Sequence, residues 1–172
     1  MKLTAREIVL FGLLGALMYA AKIALEFLPN IHLVGVFIVA LTVVYRKKAL
    51  YPLYTFVLIT GLMNGFALWW LPYLYIWIPL FGAALLIPSN LPNRFRPPVY
   101  MLINAAHGFL YGTLYAPAQA LLFGMDFDGM LAWILAGLPW DMIHGIGNLF
   151  CGILIAPLIL LLRQLGRVDF KH

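Results

Sequence analysis

The sequence predicts an all-α integral membrane protein: one domain, a bundle of six transmembrane helices, with both termini in the cytoplasm. Three observations carry that expectation. Of the 172 residues, 65% are hydrophobic and 10% charged, with a mean hydropathy of +0.97; a soluble domain this apolar has no surface to offer water. Six apolar segments alternate with charged or Pro/Gly-rich punctuation. Ten of the eleven Lys and Arg residues fall at the termini or in alternate connections. That placement accounts for the net charge of +5 without a nucleic-acid partner.

The segments run approximately 6–27, 31–45, 49–66, 70–88, 98–123 and 129–162 of the domain 1–172. The second would be only about 22 Å long as a helix, which predicts a steep crossing or protection by neighbours. The last exceeds one bilayer crossing, and Pro139 inside it predicts a kink or a separate outer piece. Lys2 and Arg6 precede the first segment; Arg46, Lys47 and Lys48 join the second to the third. Arg94 and Arg96 join the fourth to the fifth, and Arg163, Arg167 and Lys171 follow the sixth. The other connections hold Asn30 and His32, then Asn64, then Asp126 and Asp128. The positive-inside rule puts the basic connections and both termini in the cytoplasm. The first apolar run is too long for a signal-peptide core and shows no small-residue cleavage site, so no cleavable signal is expected.

The first segment carries two faces. Gly12, Ala16, Ala20 and Ala24 recur every four residues, a small-residue stripe that lets another helix approach closely in lipid. Lys22 lies about 200° around the helix from Ala20, with Glu26 one turn further on. Lys22 stands roughly 22 Å above the cytoplasmic end; counting back from Leu162, His144 and Asp141 stand about 27 and 31 Å above it. Four ionisable groups therefore converge in the outer third of the membrane, where such groups face a bundle interior or a wet cavity. An ion pair of Lys22 with Glu26 or Asp141 that only ties helices together is the competing reading.

In the last segment Gly137, Asp141, His144, Asn148 and Gly152 share one helical face. In the fifth, Asn104, His107, Tyr111, Tyr115 and Gln119 do the same, beside Gly108 and Gly112, which permit close packing. Asn104 and His107, deeper in the membrane, are read as satisfied core groups. The outer connection around Trp69, Trp70, Tyr73, Tyr75 and Trp77 serves as an interfacial aromatic belt or, for one or two rings, as a cavity wall. Trp133 and Trp140 face the same choice.

Other chemistry is argued against by absence. The chain has no GxxxxGKS/T, HExxH, GxSxG or CxxC pattern. Its one serine, Ser89, falls near a cytoplasmic turn, and Asp141 has no second aspartate for an aspartyl protease dyad. The single cysteine, Cys151, excludes an internal disulfide and reads as a small apolar helix residue. His107 and His144 alone are too few for a metal site, and no cofactor is expected. Uphill movement of any cargo would need energy from another subunit or an ion gradient.

Six spans, cytoplasmic termini, the AxxxA-type stripe, the LPNIHL turn and the GLPWDMIHGIGN run together resemble the S component of an energy-coupling factor (ECF) vitamin transporter. The likeness covers essentially the whole chain. It implies an S-component-like fold and a non-catalytic subunit in the plasma membrane of a prokaryote. It implies binding of a vitamin or similar micronutrient near the extracellular face, between the outer helix ends and outer connections. It also implies that Ala16, Ala20 and Ala24, extended by Gly12, contact a transmembrane coupling subunit driven by two cytoplasmic ATPases. On this resemblance Lys22, Glu26, Asp141 and His144 are ligand or pocket-organising groups. Asn30, His32, Asn64, Trp69, Trp70, Tyr73, Tyr111 and Tyr115 are candidates around them. The two alternatives are a ligand-free structural membrane protein of the MreD rod-shape type, and a proton-coupled small transporter using Asp141 and His144.

Overall fold

The computed structural model describes residues 3–167. It is 83% helical, with no strand among the described residues. Lys2 and Lys171 lie outside those residues, and the side chain of Arg167 is likewise undescribed. Among the described residues eight α-helices follow one another: α1 (Ala5–Ala24), α2 (Val34–Tyr45), α3 (Leu50–Asn64), α4 (Ile78–Leu86), α5 (Arg96–Phe109), α6 (Tyr111–Phe123), α7 (Phe127–Cys151) and α8 (Ile155–Arg167). Short 3₁₀ segments at Arg46–Ala49, Leu68–Leu74, Asn93–Phe95 and Gly152–Leu154 link several of them.

Local chemistry sets most boundaries. Thr4 and Glu7 form a capping box, each side chain accepting from the other's backbone N–H, which fixes the start of α1. Asp126 caps α7 by accepting from the Gly129 N–H at 2.8 Å. Pro97 and Pro98 occupy the first turn of α5, where a missing N–H costs nothing. Gly65 and Gly124 end α3 and α6 at φ 87° and 64°, values open to glycine without a steric penalty.

Helix α2 is the axis of the molecule. Every residue from Val34 to Thr42 is buried, with α4, α8, α1, α5 and α7 packed around it. Its β-branched residues are weak helix formers in water; here burial on all sides stabilises them instead. The one polar group in that run, Thr42 Oγ1, donates to the Ile38 carbonyl at 2.6 Å. The protection expected for this short segment is therefore present. Helix α1 lies on α3, where Gly15 meets Thr55 and Pro52. The α5–α7 crossing brings backbones together at Gly108 and Gly145. At that crossing Asn104 Nδ2 donates to the Asn148 carbonyl at 2.8 Å and Asn148 Nδ2 to the Asn104 carbonyl at 3.2 Å. These bonds give Asn104 the core position expected of it and engage both amide nitrogens, while the side-chain oxygens of Asn104 and Asn148 are buried without a hydrogen-bond partner among the described residues.

Several expected segments are divided differently. The fifth is two helices, interrupted at Leu110 (φ −99°, ψ 2°). The fourth begins as a 3₁₀ turn, and regular helix starts only at Ile78. In the last, α7 runs unbroken through Pro139 and the interruption comes at Gly152–Leu154. A proline removes one hydrogen bond, which a long helix held by neighbours absorbs. At Gly152 a β-carbon would come within 2.9 Å of Met101 Cα, so α5 passes close to the chain at this interruption. Helix α1 ends at Ala24, leaving Glu26 in the following turn.

Among the described residues, three stretches are long and apolar enough to cross a membrane: Ala5–Ala24, Leu68–Leu86 and Phe127–Leu165. Large apolar side chains point outward around the molecule, including Leu86 (82% exposed), Leu121 (86%) and Phe150 (65%). An exterior of this kind is compatible with a membrane and poorly suited to water.

Candidate ligand-binding site

At one end of the bundle, residues from four separate parts of the chain surround two adjoining hollows. The first, about 210 Å³, is lined by Lys22, Glu26, Asn30, His32, Tyr73, Tyr111 and His144, among others. The second, about 270 Å³, is lined by Asn30, Tyr111, Gly112, Tyr115, Trp133, Gly137, Trp140, Asp141 and His144. Asn30, Tyr111 and His144 border both.

The 25–33 connection is shaped by LPNI. Ile31 N–H donates to the Leu28 carbonyl at 3.3 Å, with Pro29 and Asn30 as the central residues and Asn30 at φ 58°. Proline followed by a left-handed residue is the pattern of a type II turn, and asparagine tolerates that conformation. The turn rests on α7 at Gly147, whose missing side chain leaves room for Ile31 and the Asn30 carbonyl. His32 is thereby brought edge-on to His144, ring centroids 4.7 Å apart. Tyr111 lies 4.7 Å from His144 on another side.

Beneath these rings sits Trp77, only 2% exposed. It touches His32, Tyr73 and Tyr111 and stacks on His107 at 5.5 Å. His107 is anchored in the core by the Ile76 carbonyl, 2.9 Å from its Nε2. His32 Nδ1, His144 Nε2, His107 Nδ1 and Trp77 Nε1 are buried without a hydrogen-bond partner among the described residues.

The charged groups divide by role. Lys22 is half-buried at the C-terminal end of α1, where a cation is favoured by the helix dipole. It forms no ion pair with Glu26 or Asp141 among the described residues, so the helix-tying pair is not made. Glu26 and Asn30 are exposed at the rim. Asp141, 6% exposed, accepts from the Gly112 N–H through both oxygens, at 2.9 and 3.1 Å. The interruption at Leu110 explains this bond. It makes Gly112 part of the first turn of α6, where N–H groups lack a helical acceptor and the dipole favours an anion. Asp141 thus organises the junction of α6 with α7 while its carboxylate borders the second hollow.

Three expected site residues stand apart. Asn64 Oδ1 accepts from the Tyr19 hydroxyl at 3.0 Å, linking α3 to α1. Trp70 is drawn toward the Val57 carbonyl, to which its indole N–H donates at 2.8 Å, and packs on Phe66. Trp69 lies behind Tyr73, and its carbonyl accepts from the Tyr115 hydroxyl at 2.9 Å. None of the three borders either hollow. Trp133 and Trp140 do, with Trp133 stacked on Tyr115 at 6.1 Å. Trp133 was detectable in the sequence: it continues the Gly137–Asp141 face one turn earlier.

On α1, Ala16, Ala20 and Ala24 are exposed, and the space a β-carbon would fill at Gly12 is open. Phe11, Leu14, Gly15 and Met18 form its buried side. Among the described residues no group of three or more His, Cys, Asp or Glu is placed to hold a metal ion. Amine, carboxylate, imidazole and aromatic groups at the hollows suit recognition of a ligand with flat apolar and polar parts. Comparison with family models, curated proteins and solved structures finds no match to this chain.

Proposed function

We propose that this chain is the substrate-binding subunit of an ECF-type transporter, taking up a vitamin or related micronutrient across a prokaryotic plasma membrane. In this reading the chain crosses the bilayer six times, with α5 and α6 together making one crossing, and both termini are cytoplasmic. The basic connections support that orientation: Lys48 pairs with Glu7 at the start of α1, and Arg46 donates to Leu85 at the end of α4. The chain is non-catalytic, and ATP hydrolysis by two partner subunits supplies the energy through a transmembrane coupling subunit.

The observation that carries the reading is the convergence of Lys22, His32, Tyr111 and His144 on one hollow, with Lys22 unpaired by Glu26 or Asp141 and two imidazole nitrogens unpartnered. An ion pair serving only as an internal tie would join Lys22 to Glu26 or Asp141, and neither pair is made among the described residues. The exposed Ala16, Ala20 and Ala24 on another face of α1 leave a smooth surface for the coupling subunit.

The test is identification of small molecules carried through purification, followed by thermal-shift measurement against a complete vitamin panel. A bound micronutrient and a matching shift support the proposal. No binding across the panel favours a structural membrane protein. Uptake that depends on a proton gradient and persists without the ATPases would sink the proposal.

A further inference from the structure

At the basic end of the molecule, opposite the two hollows, a cavity of about 570 Å³ opens between the end of α2, the connection after α4, and α8. Among the described residues Arg46, Arg96 and Arg163 line it, and no carboxylate does. Two of the guanidinium groups are held by backbone carbonyls. Arg46 Nη2 donates to Leu85 O at 2.6 Å; Arg96 Nε and Nη2 donate to Leu91 O and Ser89 O at 2.9 and 2.8 Å. Neutral carbonyls orient these forks without cancelling their charge, and each fork retains unspent N–H donors. Arg163 has neither a hydrogen bond nor an ion pair among the described residues. Arg46 also holds a backbone conformation of φ 53°, ψ −130°, which is costly for a residue with a side chain and persists only where the surroundings impose it.

We propose that this cavity binds a phosphate group, with Arg46, Arg96 and Arg163 as its ligands. Planar guanidinium forks match phosphate oxygens in pairs, and three of them line one cavity that has no carboxylate among the described residues. The same cavity has an apolar wall, Val43, Leu85 and Leu86, and Leu86 is open to the exterior. The phosphate can therefore come from an anionic phospholipid headgroup, as basic pockets at a membrane surface accept, or from solution. The proposal is independent of the ligand at the other end, since the two sites share no residue.

Native mass spectrometry of the full chain in neutral detergent tests it, with phosphatidylglycerol, the phosphate-free diacylglycerol of the same chains, and inorganic phosphate as probes. Phosphatidylglycerol is expected to bind in preference to diacylglycerol. Loss of one charge-assisted contact in Arg163→Gln is expected to weaken binding about tenfold, while Lys22→Met leaves it unchanged. Ser89→Asp, on an exposed connection, places a carboxylate in the cavity and should also weaken binding; it keeps the test open if Arg163→Gln does not accumulate. Arginine-dependent binding of inorganic phosphate without preference for the lipid supports the site and assigns it to a soluble anion. Equal retention of both lipids with no phosphate binding overturns the proposal, as does wild-type binding by the variants.

Discussion

Replacing Gly112 by alanine tests whether Asp141 holds the α6–α7 junction. A β-carbon at Gly112 would stand 2.5 Å from Asp141 Oδ2 and 3.0 Å from Oδ1. Carbon and oxygen need roughly 3.5 Å, so the carboxylate must retreat by about 1 Å. The present N–H···O distances of 2.9 and 3.1 Å then stretch to about 4 Å, beyond a hydrogen bond. Stranding the buried carboxylate costs about 1–3 kcal/mol, and the better helix propensity of alanine returns up to about 1 kcal/mol. We expect Gly112→Ala to destabilise by about 1 kcal/mol on that balance. In an Asp141→Ala background there is no carboxylate to displace, and the same change should be neutral or stabilising. Denaturant titration in mixed micelles, followed by fluorescence of the five tryptophans, reads both effects. An equal effect of Gly112→Ala in the two backgrounds would refute the argument.

Three further outcomes follow from named contacts. Asn148→Leu removes the donor to the Asn104 carbonyl and should cost about 1–3 kcal/mol in the same titration; an unchanged midpoint would mean that the α5–α7 crossing does not need the pair. Lys22→Met should weaken binding of the co-purified ligand about tenfold, as expected for one charge-assisted contact, and unchanged affinity by calorimetry would remove Lys22 from the site. Ala20→Trp should abolish co-purification with the coupling subunit while ligand affinity stays the same; loss of affinity with assembly intact would reverse the assignment of the two faces of α1.

The particular residues divide clearly between what local pattern carries and what it does not. The helices, the common face of Asp141, His144 and Asn148, and the separation of Lys22 from the Ala16–Ala20–Ala24 stripe follow from a 3.6-residue period, which each segment contains within itself. The core roles of Asn104 and His107 were also legible, because buried amides and imidazoles are normally paired. Only the tertiary structure decided that Gly112 is the partner of Asp141, because that bond requires the break at Leu110 and the register of α6 on α7. It likewise placed the break in the last segment at Gly152, where α5 passes close by at Met101, rather than at Pro139. The choice among aromatics was tertiary too: Trp133 and Trp140 border a hollow, whereas Trp70 is drawn away to the Val57 carbonyl. The meeting of His32 with His144 depends on a turn seated at Gly147, more than a hundred residues further along the chain. Periodicity determines which way a side chain faces around its own helix; what it meets there is decided by the distance and register of a second element, and no local pattern encodes either.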